Sequence, residues 1–239
     1  MAEQLPPPND EQQSIIEAAQ QGGTVVVNAL AGTGKTTTLA ALAANHPAKS
    51  VHYLAFNKSI AGDASSKLPR HVTSKTFHSL AYGAVKPDRE RLQMRLNGTY
   101  VADRFRIQET KIGLRTISPA MIGNLALNGV SRYCSSRDSD VEIGHIPRVD
   151  SLFESMPEDV EADGAGCQEL RKHALGLAQR IWREQCRDSE FPITHDTYVK
   201  QWALSGPRIA TDLILFDEAQ DASPVFIDIV EQQDAQVIW

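Results

Sequence analysis

Short apolar runs alternating with polar, helix-spaced stretches set the rhythm of the first eighty-odd residues. Val25-Val26-Val27 opens a β-branched run that reads as a buried strand. It breaks into a small-residue turn ending at Gly34, and the Ala/Leu-rich segment Leu39–Ala44 that follows has helical character. Val51–Phe56 reads as a second strand, Ile60–Lys67 as a helix, and Val72–Thr76 as a third strand leading into Phe77–Tyr82. Upstream, Ile15, Ile16, Ala18 and Ala19 fall at helical spacing, with Asn9 or Asp10 as the N-cap. Strands alternating with helices predict an α/β fold, a parallel sheet with helices on both faces. Ligands of such sheets sit at the carboxyl ends of the strands.

From Lys86 to Arg208 the strand rhythm stops. Helical patterns dominate there, as in Gln168–Cys186, where Leu170, Ala174, Leu175, Leu177, Ala178, Ile181 and Trp182 recur at i, i+3 and i+4. Ser135–Gly166 is acidic and punctuated by Gly, Ser and Pro, and reads as partly loop. Residues 86–208 are thus expected to form a mostly α insertion between strands of a sheet built from 1–85 and 209–239. The sheet resumes at Asp212-Leu213-Ile214-Leu215-Phe216-Asp217-Glu218-Ala219-Gln220-Asp221, read as an apolar strand that ends in two acids. Pro224 then opens a helix to about Gln233, and Gln236–Trp239 begins a last strand, expected to leave an apolar edge exposed at Val237–Trp239.

The composition of the 239 residues is that of a globular chain, and no apolar run approaches the ~18 residues that span a bilayer. The first ten residues are polar and proline-containing, unlike a secretory signal. Cys134, Cys167 and Cys186 form no CxxC pair, which argues against a zinc site or a disulfide framework and points to the cytoplasm, with no membrane partner. A net charge of −6 would argue against nucleic acid, but its distribution changes that picture. Residues 86–137 carry ten Lys/Arg against four Asp/Glu, whereas 138–169 carry one Arg against ten acids. The basic block is either a phosphate-facing surface or an ordinary solvated helical face.

The chemistry concentrates after the first strand. Ala29-Leu30-Ala31-Gly32-Thr33-Gly34-Lys35-Thr36-Thr37 is a phosphate-binding P-loop with Ala in place of the usual first glycine. Small residues let consecutive N–H groups turn inward around phosphate oxygens at a helix N-terminus, where the dipole also favours negative charge. Lys35 adds a cation at the β- and γ-phosphates, and the Thr36 hydroxyl is a ligand for Mg²⁺. An apolar strand ending in two acids completes the set. Asp217 is expected to hold the same Mg²⁺, and Glu218 to take a proton from the attacking water. ATP and Mg are therefore the expected cofactors.

Taken in order, these motifs resemble superfamily 1 DNA helicases of the UvrD/Rep type. Asn9–Ile16 looks like the family's Q motif, which implies that Gln12 lies against adenine. Ala29–Thr36 looks like motif I, where Ala in first place is the usual choice. Leu54-Ala55-Phe56-Asn57-Lys58 looks like motif Ia, Thr76-Phe77-His78-Ser79-Leu80 like motif Ib, and Asp217–Asp221 matches motif II, Gln220 included among its catalytic positions. Ala55-Phe56-Asn57-Lys58 and Ile193–Lys200 look most like the F-box DNA helicase branch and its bacterial relatives.

The resemblance implies a RecA-like lobe that binds ATP and single-stranded DNA, with Phe56, Asn57, Lys58, Thr76, Phe77 and His78 on the DNA side. Phe56 is then a stacking platform for a base, or else a core aromatic at a strand end. His78 is a DNA contact or a structural hydrogen-bonding residue. Residues 86–208 correspond to the family's helical subdomain, which touches duplex or single strand through basic residues. The resemblance covers only the family's first half, so a second RecA-like lobe, in cis or in trans, is expected to supply arginine fingers and the moving partner for translocation. The competing reading is a non-catalytic, nucleotide-dependent DNA-binding adaptor, against which the intact Lys35, Thr36, Asp217 and Glu218 count. An unrelated P-loop kinase would account for the P-loop and the paired acids but not for Phe56-Asn57-Lys58 or Thr76-Phe77-His78.

Overall fold

Strand β1 (Val51–Ala55) lies inside a four-stranded sheet whose neighbours are β2 (Val72–Thr76) on one side and β5 (Leu213–Phe216) on the other, with β6 (Gln236–Ile238) beyond β5. All three pairings are parallel. This computed structural model describes residues 7–29, 34–112, 115–149, 163–187 and 190–239. The chain divides into two compact units, Met1–Ala84 with Ser205–Trp239, and Val85–Leu204.

The first unit is held by the alternation of its strands. Val51, Tyr53 and Ala55 of β1, Leu213 and Leu215 of β5 and Ile238 of β6 turn to one face, against Ile16 and Ala19 of helix α1 (Asp10–Gln20) and Leu39 and Leu42 of α2 (Lys35–Asn45). On the other face Phe216 meets Phe77 edge-on at 5.1 Å. Phe77 in turn stacks at 4.4 Å on Phe226 of α10 (Pro224–Glu231). All four residues of β5 are buried, as an inner parallel strand covered on both faces requires. Helix α3 (Lys58–Lys67) links β1 to β2, and α4 (Phe77–Val85) follows β2 directly.

Two expectations about the sheet need correction. Val25–Val27 is not a buried strand: it makes a single parallel bridge, Val25 to Ile238, and Val26 is 66% exposed. A β-branched run reads alike at the edge and at the centre of a sheet, and here it lies at the edge. It follows that Val237–Trp239 is not a bare edge. Val25 N–H donates to Val237 O (3.2 Å), Trp239 N–H to Val25 O (2.9 Å) and Val27 N–H to Trp239 O (2.9 Å). Val237 and Ile238 are accordingly buried.

The second unit is mostly helical: α5 (Arg89–Gln93), α6 (Gly98–Phe105), α7 (Pro119–Ser135), α8 (Asp163–Cys186) and α9 (His195–Leu204). It also contains an antiparallel pair, β3 (Thr110–Ile112) and β4 (Arg115–Ile117), where no strand was expected; three-residue strands are too short to show a period. Leu170, Ala174, Leu177, Ala178 and Ile181 form the buried stripe of α8, with Leu175 and Trp182 at its margin. Arg91 caps the end of this helix. Its guanidinium donates to the carbonyls of Gln185 (3.0 Å), Arg187 (3.1 Å) and Phe191 (2.8 Å), meeting both the orphan carbonyls and the negative end of the dipole. A short 3₁₀ turn, Ile143–His145, falls within the stretch read as loop, whose residues 150–162 lie outside those described. No helix among the described residues is long and apolar enough to cross a membrane.

Candidate nucleotide and DNA site

Helix α2 begins where Gly34 turns the chain. Its φ of +83° lies in the left-handed region that glycine enters without a Cβ penalty, and it caps the helix without a side-chain hydrogen bond. Lys35 is the first helical residue, with Thr36 and Thr37 half-buried in the same turn and Ala29 half-buried ahead of the loop. Ala31, Gly32 and Thr33, the middle of the expected phosphate loop, lie outside the described residues. The first-turn N–H groups of α2 and the positive end of its dipole thus mark a place for an anion.

Opposite this turn the chain leaves β5. Asp217 is 6% exposed, and both of its carboxylate oxygens are engaged. Oδ1 accepts the N–H of Glu218 (3.0 Å), and Oδ2 accepts the hydroxyl of the fully buried Tyr53. Glu218 itself sits at φ +54°, an uncommon left-handed position for a residue with a side chain. Its Oε2 accepts from Lys35 Nζ at 2.9 Å, across 183 residues of sequence, and also from the side-chain amide of Gln220. The hydrogen bond from Lys35, then that from Gln220, holds the Glu218 carboxyl below its ordinary value. The same bond to Glu218 raises the Lys35 ammonium above its own. With side chains 28% and 29% exposed, the pair is worth no more than about 1 kcal/mol, so an arriving phosphate can take Lys35 from it.

Gln12 joins this group through the capping box of α1. Its side-chain oxygen accepts from Asn9 N–H (3.1 Å) and its amide donates to Thr38 Oγ1 (2.9 Å), tying α1 to the first turns of α2. A cleft of about 180 Å³ lies among Asn28, Lys35, Thr38, Asp217, Glu218 and Trp239. Thr38, Tyr53 and Trp239 were not singled out from sequence. Thr38 is one more small residue after the motif, and Tyr53 reads as an ordinary core aromatic of its strand.

The residues expected at DNA gather at the carboxyl ends of β1 and β2, where Ala55 and Thr76 are register partners. Phe56 is 49% exposed, which overturns the core-aromatic alternative. Asn57 is the N-cap of α3, its side chain accepting from Ile60 N–H (2.9 Å), and Lys58 is exposed in the first helical turn. Thr76 Oγ1 accepts from Ser79 N–H (3.1 Å) at the start of α4. His78 is half-buried with its ring edge-on to Phe226 at 5.7 Å. Phe77 is a correction. At 2% exposure, between Phe216 and Phe226, it is core and presents no face to a nucleic acid. A motif cannot show which of two adjacent residues, Phe77 or His78, turns inward.

A parallel sheet that sets a glycine-turned, lysine-bearing helix start against a buried strand-end aspartate is the architecture of a P-loop NTPase. Comparison with known proteins agrees. A family model described as an AAA domain matches residues 7–111. F-box DNA helicase 1 of Gallus gallus is 31% identical over 230 residues, which cover 90% of this chain and 21% of that protein. F-box DNA helicase protein 1 of Schizosaccharomyces pombe (strain 972 / ATCC 24843) is 28% identical over 222 residues, 87% of this chain and 24% of that protein. These matches bear out the resemblance to superfamily 1 DNA helicases and to the F-box branch among them. The chain spans about a fifth to a quarter of the length of the curated relatives it matches.

The donors present suit Mg²⁺. Thr36 and Asp217 offer hard oxygen ligands, and no group of three or more His, Cys, Asp or Glu able to hold a metal occurs among the described residues. Mg²⁺ is commonly held by one or two protein oxygens together with water and phosphate oxygens.

Proposed function

We propose that this chain is the ATP-binding and single-stranded-DNA-binding lobe of an ATP-dependent DNA helicase or translocase. The observation that carries the reading is the 2.9 Å approach of Lys35 to Glu218 beside the buried Asp217, which gathers the lysine and both acids around one cleft. In this reading the first turn of α2 and the loop before it bind the phosphates, Lys35 reaches the β- and γ-phosphates, and Gln12 lies toward the adenine. Thr36 and Asp217 hold Mg²⁺, which would neutralise charge on the phosphates. Once the γ-phosphate takes Lys35, Glu218 Oε2 is relieved of its ammonium partner. Its carboxylate rises toward its ordinary basicity, as a general base for water requires. Gln220 stays within reach of the same oxygen. Residues 86–208 form the helical subdomain inserted in its sequence, and a second RecA-like lobe supplies the transition-state arginines and the motion.

On the DNA side, Phe56 stacks on a base, flanked by Asn57, Lys58, Thr76 and His78. Base stacking on an aromatic is worth about 1–3 kcal/mol. Phe56→Ala is therefore expected to weaken single-stranded DNA binding roughly 5- to 150-fold in a fluorescence-anisotropy titration. Because the ring is half-exposed, the melting temperature should hardly move. An affinity within twofold of the parent would remove Phe56 from the DNA surface.

A further inference from the structure

Tyr53 lies in the middle of β1, fully buried, in register with Leu215 of β5. Side chains alternate along a strand, so Asp217, two residues beyond Leu215, returns to the face that Tyr53 occupies. The phenol is long enough to run along that face past the strand end, and its hydroxyl donates to Asp217 Oδ2. The other oxygen, Oδ1, already accepts the N–H of Glu218. Both ends of the carboxylate are thus fixed, one from the body of the sheet and one from the turn after β5. Oxygen atoms with two lone pairs still accept a further ligand after one such bond. We propose that Tyr53 is a positioning residue, its hydroxyl orienting Asp217 for a divalent cation arriving with a nucleotide. The inference rests on the nucleotide-site reading above.

The chemistry of the pair supports this role. The phenol supplies one O–H donor, and Asp217 Oδ2 accepts it. The bond comes from a different strand, 164 residues away in sequence. It therefore couples the orientation of the acid to the β1–β5 pairing as well as to the turn that follows β5, which holds Oδ1. A hydrogen-bond partner behind a metal-binding group commonly contributes 10- to 100-fold to metal affinity.

The test uses the full chain and a fluorescent ATP analogue, titrated in EDTA and across a Mg²⁺ series, for the parent, Tyr53→Phe, Asp217→Asn and the double variant. Tyr53→Phe keeps the ring and removes one oxygen. The expected result is metal-free nucleotide affinity within twofold of the parent, with the half-saturating Mg²⁺ concentration raised about tenfold. The same change should have no further effect in the Asp217→Asn background. Equal losses with and without Mg²⁺ would make Tyr53 a structural residue only, and an unchanged Mg²⁺ midpoint would overturn the proposal. If Tyr53→Phe does not fold, 3-fluorotyrosine incorporated in place of tyrosine serves instead. The ¹⁹F signal of position 53 should shift with Mg²⁺ plus nucleotide and not with nucleotide alone, and no shift overturns the proposal. If Lys35→Ala binds the analogue in EDTA as tightly as the parent, the nucleotide-site reading fails, an outcome distinct from failure at Tyr53.

Discussion

Lys35→Ala is expected to weaken nucleotide binding by roughly 10- to 150-fold, as follows from the ~1.5–3 kcal/mol of a hydrogen bond to a charged group. Folding stability should barely change. Among the described residues Lys35 is bonded through its ammonium to Glu218, in a pair with both side chains more than a quarter exposed. Loss of such a pair costs at most about 1 kcal/mol, or a fall in melting temperature of up to about 4 °C. The variant also relieves Glu218 of the contact that most lowers its pKa, and among the described residues the Gln220 amide stays as a side-chain partner. Calorimetric titration with ADP and a melting curve on the same sample separate the two effects. A large loss of stability would mean that Lys35 serves the fold, and unchanged ADP affinity would mean that phosphate binds elsewhere.

The second large effect lies far from that cleft in sequence and has a purely steric cause. Helices α6 and α7 cross at Gly98 and Gly123. A Cβ on Gly98 would stand 2.0 Å from the carbonyl oxygen of Ala120, and one on Gly123 would stand 2.4 Å from the carbonyl oxygen of Gly98. Both obstacles are backbone, so no side-chain rotation relieves them. Moving α6 away would break the bond from Gly98 N–H to Asn124 Oδ1 (2.7 Å) and open the core around Val101 and Ile122. Gly98→Ala should therefore cost about 3 kcal/mol or more, at the upper end of overpacking effects. Urea unfolding measures this, with Gly176→Ala in α8 as the control. Nothing lies within 4 Å of a Cβ there, and replacing a mid-helix glycine should be neutral or stabilising by up to about 1 kcal/mol. Equal midpoints for the two variants would refute the close crossing.

What could be read from the sequence followed the range over which each signal acts. β1, β2 and β5 are short apolar or alternating runs flanked by polar turns; the limits of β1 and β2 were legible within a residue, whereas β5 stops at Phe216, before the two acids expected to end it. The stripe of α8 was legible because seven positions repeat one period. Val25–Val27 was placed wrongly because edge and centre differ only in which strands lie alongside, and β6 is more than two hundred residues away. The β3–β4 pair was invisible because three residues hold no periodicity. At the site, Lys35, Asp217 and Glu218 announced themselves through spacing that phosphate and metal chemistry demand. Tyr53 did not, because only the folded sheet brings its hydroxyl to Asp217. Phe77 and Phe56 show the same limit from the other side: each is a phenylalanine at the end of a strand, yet one is buried in an aromatic stack and the other faces solvent.

The measurement that bears most directly on the account is steady-state ATP hydrolysis by the 239-residue chain, with and without single-stranded DNA. Arginine fingers contribute about 10³–10⁵ in rate in related P-loop enzymes. If a second lobe supplies them, the chain alone should turn over Mg·ATP slowly, and DNA should change the rate by less than a few-fold. Fast, DNA-stimulated turnover that Lys35→Ala abolishes would contradict the account, because the transition-state cation would then belong to this chain or to a second copy of it.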